Sequence, residues 1–342
     1  MTCEREKVED VDLSIVVPAH NEGDGLRATL DTIAAAASKC TESWEIIAVD
    51  DGSQDATWQE IGGAVRSSPR MRGIRFSRNF GKEAALLAGL RAARGRAVVT
   101  MDADLQHPPD LLPEIYDRWK KGAKVVHAVK RNRTTESKMI IWRAKVFNTL
   151  LTRLGGIDLG NASDFKLIDR VVVDVLTKSM SEKKRFYRGL TSWVGFPSVK
   201  VEFDVPHRAQ GHGNWTLRQL LDLSVTALVS FTSAPLRIVT LLGGVTLVFG
   251  FIVVTDALIS WFRGIAVSGF VTLVGTLLVI GSMIMISLGV IGEYIAKIYD
   301  EIKSRPAYLI ESRSGFESAT ESDDVSPGVT DKFTRHEHQS ID

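Results

Sequence analysis

The chain has 342 residues, enough for one large core or two smaller units, and its 44% hydrophobic and 24% charged residues are ordinary for a globular protein. A formal net charge of +1 argues against a protein held to nucleic acid by bulk electrostatics, so any recognition of negative charge has to be local. The two cysteines, Cys3 and Cys40, offer neither metal-ligand spacing nor a disulfide framework and fit a reducing compartment.

The average composition hides a segregation. The N-terminus carries Glu4, Glu6, Glu9, Asp10 and Asp12 and lacks the basic and apolar regions of a signal peptide, so the first domain is expected to stay cytoplasmic. From Leu13, strand-like runs alternate with helical patterns: LSIVVP, a helix over Thr29 to Ala37, EIIAVDDG, and a helix from Ala56 towards Val65. The rhythm continues through RGIRFS, a helix from Glu83 to Arg94, AVVTMDAD, a helix from Pro109 to Lys121, and KVVHAV. Such βαβ repetition predicts an α/β domain with a mostly parallel sheet covered by helices.

Residues 216–231 space their apolar positions three or four apart, which suits a helix lying on a membrane or packed on a partner, and equally a plain surface helix. Ile238 to Thr255 is uncharged, its apolar character runs on to Phe262 with Asp256 as the interruption, and Ala266 to Gly292 is uncharged throughout. Each stretch is long enough to cross a hydrocarbon layer of about 30 Å as a helix, and the short link makes the pair a hairpin. Arg218 and Arg237 precede it, Lys297, Lys303 and Arg305 follow it, and the link holds only Arg263, so the positive-inside bias puts both termini in the cytoplasm. Glycines 243, 244, 250, 275 and 281 would permit close helix contacts in a homo-oligomer, or simply face lipid. Beyond Ser312 the tail is polar and predicted to be disordered.

In open α/β sheets ligands bind beyond the carboxyl ends of strands, and those positions hold Asn21, Glu22, Asp50, Asp51, Asp102 and Asp104. Asp102 and Asp104 can face a divalent metal together; solvated turn acids are the alternative. Around Gly52, Ser53 and Asp55 explain themselves as caps of the next helix, whereas the adjacent Asp50 and Asp51 suit hydrogen bonds to a base and ribose. Arg78, Asn79, Gly81 and Lys82 open the third helix, where donors orient anions, and Arg131, Arg133 and Arg208 add guanidinium groups suited to phosphate. Neither G-x-x-x-x-G-K-[ST] nor a strand-linked G-x-G-x-x-G occurs, which counts against kinases, ATPases and dehydrogenases.

Taken together, PAHNE at 18–22, VDDGSQDAT at 49–57, RNFGKEAAL at 78–86 and DADLQHPP at 102–109 resemble glycosyltransferase family 2. The likeness continues through NASDFKLIDR at 161–170, RGLTSWVGF at 188–196, SFTSAPLRIVT at 230–240 and GEYIAKIYDEIKSRPAYLI at 292–310, the last two resembling the polyprenyl-phosphate glycosyltransferase branch.

The resemblance implies a GT-A fold, a nucleotide-sugar donor (UDP-glucose first, with GDP-mannose and UDP-N-acetylhexosamine open), a polyprenyl phosphate acceptor, Mg2+ or Mn2+, and inversion at the anomeric carbon. Carried onto this chain, Pro18, Asn21, Glu22, Asp50, Asp51, Lys82, Asp102, Ala103, Gln106 and Arg208 bind the donor, and Asp102 and Asp104 hold the metal. Arg131, Arg133 and Ser137 meet the acceptor phosphate, and Asp164 and Asp104 are the catalytic pair, with Asp164 in the place of a base. Gly213-Asn214-Trp215 stands where many relatives place a basic residue between a small one and an aromatic, leaving Arg208 and His212 to grip the diphosphate. A non-catalytic membrane subunit with a decayed transferase domain is the reading from another class, opposed by the retained acidic set.

The implied organisation is a tail at 1–12, a catalytic domain at 13–214, an amphipathic helix at 215–234 and two membrane helices within 235–292 (about 236–262 and 266–292). A juxtamembrane helix and strand at 293–311 and a disordered tail at 312–342 complete it.

Overall fold

The computed structural model describes residues 11–130, 162–180, 182, 186–203, 234–264, 269–303 and 305–316. Strands β1 (Leu13–Ala19), β2 (Trp44–Asp50), β3 (Met71–Phe76) and β4 (Ala97–Thr100) pair in parallel in the order β3-β2-β1-β4. All residues of β1, β2 and β4 are buried, as expected where helices cover both faces of a parallel sheet.

Helices α1 (Leu26–Ser38), α2 (Thr57–Ser67) and α4 (Leu112–Lys120) join one core layer, and α3 (Lys82–Ala92) the other. Alternation along β1 assigns the layers: Ile15 and Val17 pack with Leu30, Ile33 and Ile115, while Val16 packs with Ala85 and Leu86. Gly89 lets α3 approach β1, because a Cβ there would run into the Val16 side chain.

The sheet departs from the parallel pattern on both sides. Strand β6 (Ala162–Asp169) inserts antiparallel between β4 and β5 (Val125–Lys130), and β7 (Ser198–Phe203) forms the edge beside β5. After β6 come α5 (Arg170–Asp174), which runs into a π-helical turn, and α6 (Tyr187–Trp193).

Helices α7 (Ala234–Phe262) and α8 (Phe270–Ile302) are both long and apolar enough to cross a membrane, over Val239–Phe262 and Leu273–Ile302. At 33 residues α8 is about 50 Å long. The second span expected from Ala266 therefore begins its helix at Phe270, and the juxtamembrane helix expected after Gly292 is its uninterrupted continuation. No Pro or Gly breaks the helix between Glu293 and Ile302, and Pro306 follows its end.

The tail boundary at 312 is likewise corrected. Strand β8 (Ile310–Ser314) pairs antiparallel with β3 and closes the other sheet edge, and Phe316 beyond it packs against the core. Backbone pairing needs no apolar side chains, so a polar segment such as Ser312–Ser314 is ordered by the strand it meets. The amphipathic helix expected at 215–234 lies outside the described residues except for Ala234, which opens α7.

Candidate active site

The carboxyl ends of β1, β2 and β4 and the N-terminus of α3 surround a cleft of about 320 Å³, lined among others by Pro18, His20, Glu22, Asp51, Asn79, Lys82, Asp102, Ala103 and Asp104. Its walls are fastened by short polar bonds between loops far apart in sequence. The Asn21 amide donates to Ser53 Oγ (2.9 Å), the Glu22 amide to Thr57 Oγ1 (2.9 Å) and the Gly23 amide to Asp55 Oδ2 (2.9 Å). Asn21 itself takes a left-handed backbone, φ 55°.

Asp51 accepts hydrogen bonds from the amides of Phe80 (2.7 Å) and Gly81 (2.8 Å), which fastens the turn after β2 to the loop entering α3. Burial pushes its pKa up, and those two amides pull the other way. Gly52, φ 66°, is required by the same closeness, because a Cβ there would strike the Arg78 backbone. Asp50 is fully buried beneath the turn, with Oδ1 accepting from the Ser53 amide (2.9 Å).

Beside the cleft runs a line of alternating charge. Lys82 Nζ lies 2.6 Å from Asp102 Oδ1 and 2.7 Å from Asp164 Oδ2, and Arg188 forks onto Asp164 through Nε (2.6 Å) and Nη2 (2.8 Å). Burial works against the Lys82 ammonium, but Asp164 and Asp102 outweigh it and raise its pKa. Burial also opposes ionisation of Asp164, yet the Arg188 hydrogen bonds and the Lys82 charge hold its carboxyl well below the usual range. A carboxylate held in this way is a weak proton acceptor at neutral pH and a firm anchor for two cations.

In the same cleft the pKa of Glu22 is raised, first by burial and then by the charges of Asp104, Asp55 and Asp102. Asp104 is exposed, and its Oδ1 accepts from the Gln106 amide (3.1 Å). These like charges crowd one wall that a cation would relieve. Among the described residues no group of three or more His, Cys, Asp or Glu side chains forms a ready-made metal cage. Magnesium-type ions bind through one or two carboxylates plus substrate phosphates, so Asp102 and Asp104 suit an ion arriving with its ligand.

A second polar layer lies below. Lys166, fully buried, donates to Thr191 Oγ1 (2.8 Å) over the Tyr187 ring, and burial lowers its pKa to about 7. Burial raises Glu83 to about 7, although its carboxylate accepts from the Tyr187 amide (2.9 Å).

The expected residues thus separate. Pro18, Glu22, Asp51, Lys82, Asp102, Ala103 and Asp104 border the cleft; Asn21 and Gln106 brace its loops, Asp50 lies beneath, and Asp164 stands behind Lys82. Arg131, Arg133, Ser137, Arg208 and His212 fall outside the described residues. Sequence reasoning missed His20 and Arg188. His20, inside the PAHNE run, donates from Nδ1 to Asp51 O (3.0 Å) and accepts at Nε2 from Asn79 Nδ2 (3.0 Å). Arg188 lies 24 residues from Asp164 on another element, and only the fold pairs them.

Residues 14–176 match the family described as Glycosyl transferase family 2, and residues 234–298 match the GtrB C-terminal hairpin. The chain is 36% identical over 309 residues to an uncharacterized glycosyltransferase of Synechocystis sp., covering 90% of this chain and 97% of the relative. It is 34% identical over 304 residues to the prophage bactoprenol glucosyl transferase homolog of Escherichia coli (87% and 98% covered). It is 34% identical over 306 residues to bactoprenol glucosyl transferase of Shigella phage SfX (88% and 99% covered). With a mixed α/β sheet like that of GT-A glycosyltransferases and two apolar helices behind it, the chain belongs to glycosyltransferase family 2 and is a glycosyltransferase whose catalytic domain is followed by a GtrB-type hairpin.

Proposed function

We propose that this enzyme transfers a sugar, with glucose from UDP-glucose as the leading donor, onto the phosphate of polyprenyl phosphate at the cytoplasmic face of a membrane. The observation that carries this reading is the charge line Asp102–Lys82–Asp164–Arg188 beside an acidic cleft, in a chain with an apolar helical hairpin. The acceptor and the glucosyl preference draw support from relatives named bactoprenol glucosyl transferase.

In this mechanism the turn bearing Asp50 and Asp51 receives the nucleoside, and the N-terminus of α3 with Lys82 faces the diphosphate, where helix amides favour anions. Asp102 and Asp104 hold a divalent cation, which when bound supplies positive charge to the departing diphosphate. Arg208 is assigned to the donor side, and Arg131, Arg133 and Ser137 to the acceptor phosphate. A phosphate monoester with a second pKa of about 6 is mostly dianionic at neutral pH. Its oxygen therefore attacks the anomeric carbon without surrendering a proton, while the bond to the nucleoside diphosphate breaks and its electron pair leaves with the diphosphate. Configuration inverts in that single displacement. Asp164 contributes by fixing Lys82 and Arg188, and most of the acceleration comes from holding phosphate and sugar in line.

Cations at the outer ends of the hairpin, Arg237 in the first turn of α7, Lys297 in the last turns of α8, and Lys303 and Arg305 just beyond it, support a topology with the catalytic domain and both termini inside. The test is transfer of radiolabelled sugar from a panel of UDP- and GDP-sugars into butanol-extractable lipid, with purified full-length enzyme, polyprenyl phosphate and Mg2+ or Mn2+. Lipid label from UDP-glucose is expected. Label from GDP-mannose or UDP-N-acetylhexosamine instead would replace the donor, and folded protein that labels no lipid with any donor would favour a decayed, non-catalytic subunit.

A further inference from the structure

The strand that returns from the membrane hairpin ends beside the donor wall. Strand β8 begins eight residues after α8 and pairs with β3; Leu309 O accepts from the Ser77 amide (3.1 Å), and the Tyr308 ring stacks on Phe76 at 4.9 Å and 11°. Its register is interrupted once. Phe76 pairs with Ile310 and Arg75 with Ser312, so Glu311 is an extra residue opposite the step between them. A bulge of this kind re-aims a side chain, and here Glu311 Oε2 lies 3.1 Å from Arg75 Nε.

Arg75 in turn stands over the donor-side turn. Its Nε is 3.5 Å from Asp50 Oδ2, and its Nη2 donates to Ser53 O (3.3 Å). Asp50 Oδ2 makes no hydrogen bond, and its side chain is 0% exposed, so the Arg75 guanidinium is the countercharge of a buried carboxylate. Ser53 also accepts from the Asn21 amide, and Asp51, next to Asp50, borders the cleft. A continuous polar path thus runs from β8 through Arg75 to two cleft loops.

We infer that Glu311 is a positioning residue for the nucleotide-sugar pocket: from the bulge in the returning strand it holds Arg75 against Asp50 and Ser53, so the segment beyond the membrane hairpin is part of the donor site. This rests on reading the cleft as the donor site. The hairpin's connection back to the sheet then has a catalytic consequence as well as an anchoring one.

The test uses full-length enzyme in lipid nanodiscs with Glu311→Gln, Glu311→Asp, Arg75→Gln and the Glu311→Gln/Arg75→Gln pair. For a part-exposed ion pair, Glu311→Gln is expected to raise the donor KM about two- to fivefold, with kcat and the KM for polyprenyl phosphate unchanged. Glu311→Asp should recover part of the loss. In the Arg75→Gln background Glu311→Gln should add nothing, because the two act through one path. An unchanged donor KM in active Glu311→Gln enzyme, or an equal effect in the Arg75→Gln background, would overturn the inference. The separate result that wild-type enzyme transfers no sugar would instead remove the functional reading. UDP affinity by calorimetry on the same variants reads the coupling even then: a weakening confined to backgrounds retaining Arg75 supports it, and unchanged affinity overturns it.

Discussion

The catalytic sheet and the membrane hairpin spend similar apolar side chains in opposite ways. In β1 every residue is buried, with Ile15, Val16 and Val17 at 0% exposure, whereas in α7 Leu247 is 74% exposed and Phe251 73%. The first arrangement removes apolar surface from water, and the second would be untenable in water because far more contiguous apolar surface is open than a soluble monomer carries. One chain is therefore folded for two solvents. Polar groups follow the same division: in the sheet domain they converge at strand ends into buried, paired clusters, while the hydroxyls of Thr255 and Ser282 turn back onto helix carbonyls of their own span.

Unbalancing a buried cluster should disturb the sheet domain most. Asp164→Asn removes the buried carboxylate shared by Lys82 and Arg188; because both cations are partly solvated and Lys82 keeps Asp102, a loss of about 2–3 kcal/mol in unfolding free energy is expected by denaturant titration. If the domain keeps wild-type stability, the charge line is not a structural unit. The sign of the pH effect is also set. Because the folded pKa of Asp164 is depressed, its contribution is complete above the ordinary carboxylate range near pH 4 and fades as pH falls through that range towards the lower folded value.

The hairpin responds to the reverse manipulation. Leu247→Arg places a charge near the middle of α7, which costs about 3 kcal/mol if lipid surrounds it. In water the same change would be harmless or helpful. Membrane insertion measured by carbonate extraction and glycosylation reporters distinguishes the two, and normal behaviour of the arginine variant would end the lipid-facing assignment.

Function is probed next by Asp104→Asn. This exposed carboxylate supports little of the fold, so the variant should melt like wild type yet lose sugar transfer by on the order of a hundredfold. Ordinary turnover would move the metal assignment elsewhere.

A weaker effect is expected from the polar layer below the site. Glu83 has its pKa raised to about 7, so the stability it contributes is complete below its unfolded value near 4.5 and is lost as pH climbs through about 7. Wild-type thermal stability should therefore decline over that window by about 1–3 kcal/mol more than that of Glu83→Gln. Parallel pH profiles for the two proteins would show that Glu83 is not held protonated by burial.

Much of this architecture was legible in the chain. Apolar runs of strand length alternating with amphipathic segments predict β1 to β4 and α1 to α4, because burial on both faces demands unbroken Ile, Val and Ala. Two uncharged stretches suffice for the hairpin helices, since bilayer thickness sets their length. Acidic residues at strand ends point to the cleft for a reason equally local: chain direction brings those ends to one edge. Hidden from that reasoning was everything fixed by pairing at a distance. The antiparallel insertion of β6, the pairing of the expected last strand with β3 and its extension into Ser312–Ser314, and the continuity of α8 past Gly292 depend on partners or on an absent stop signal.

Residue types and their spacing along the chain set which segments seek a core, a bilayer or water. What each charge does was settled by the groups that folding brings beside it. In the chain Asp50 and Asp51 read as nucleoside ligands and Asp164 as a base, yet one is buried against Arg75, one pins the amides of Phe80 and Gly81, and one is shared by Lys82 and Arg188. A carboxylate's chemistry follows from the donors within hydrogen-bonding reach, and apart from the Ser53 amide three residues from Asp50, those donors come from residues 24 to 82 positions away.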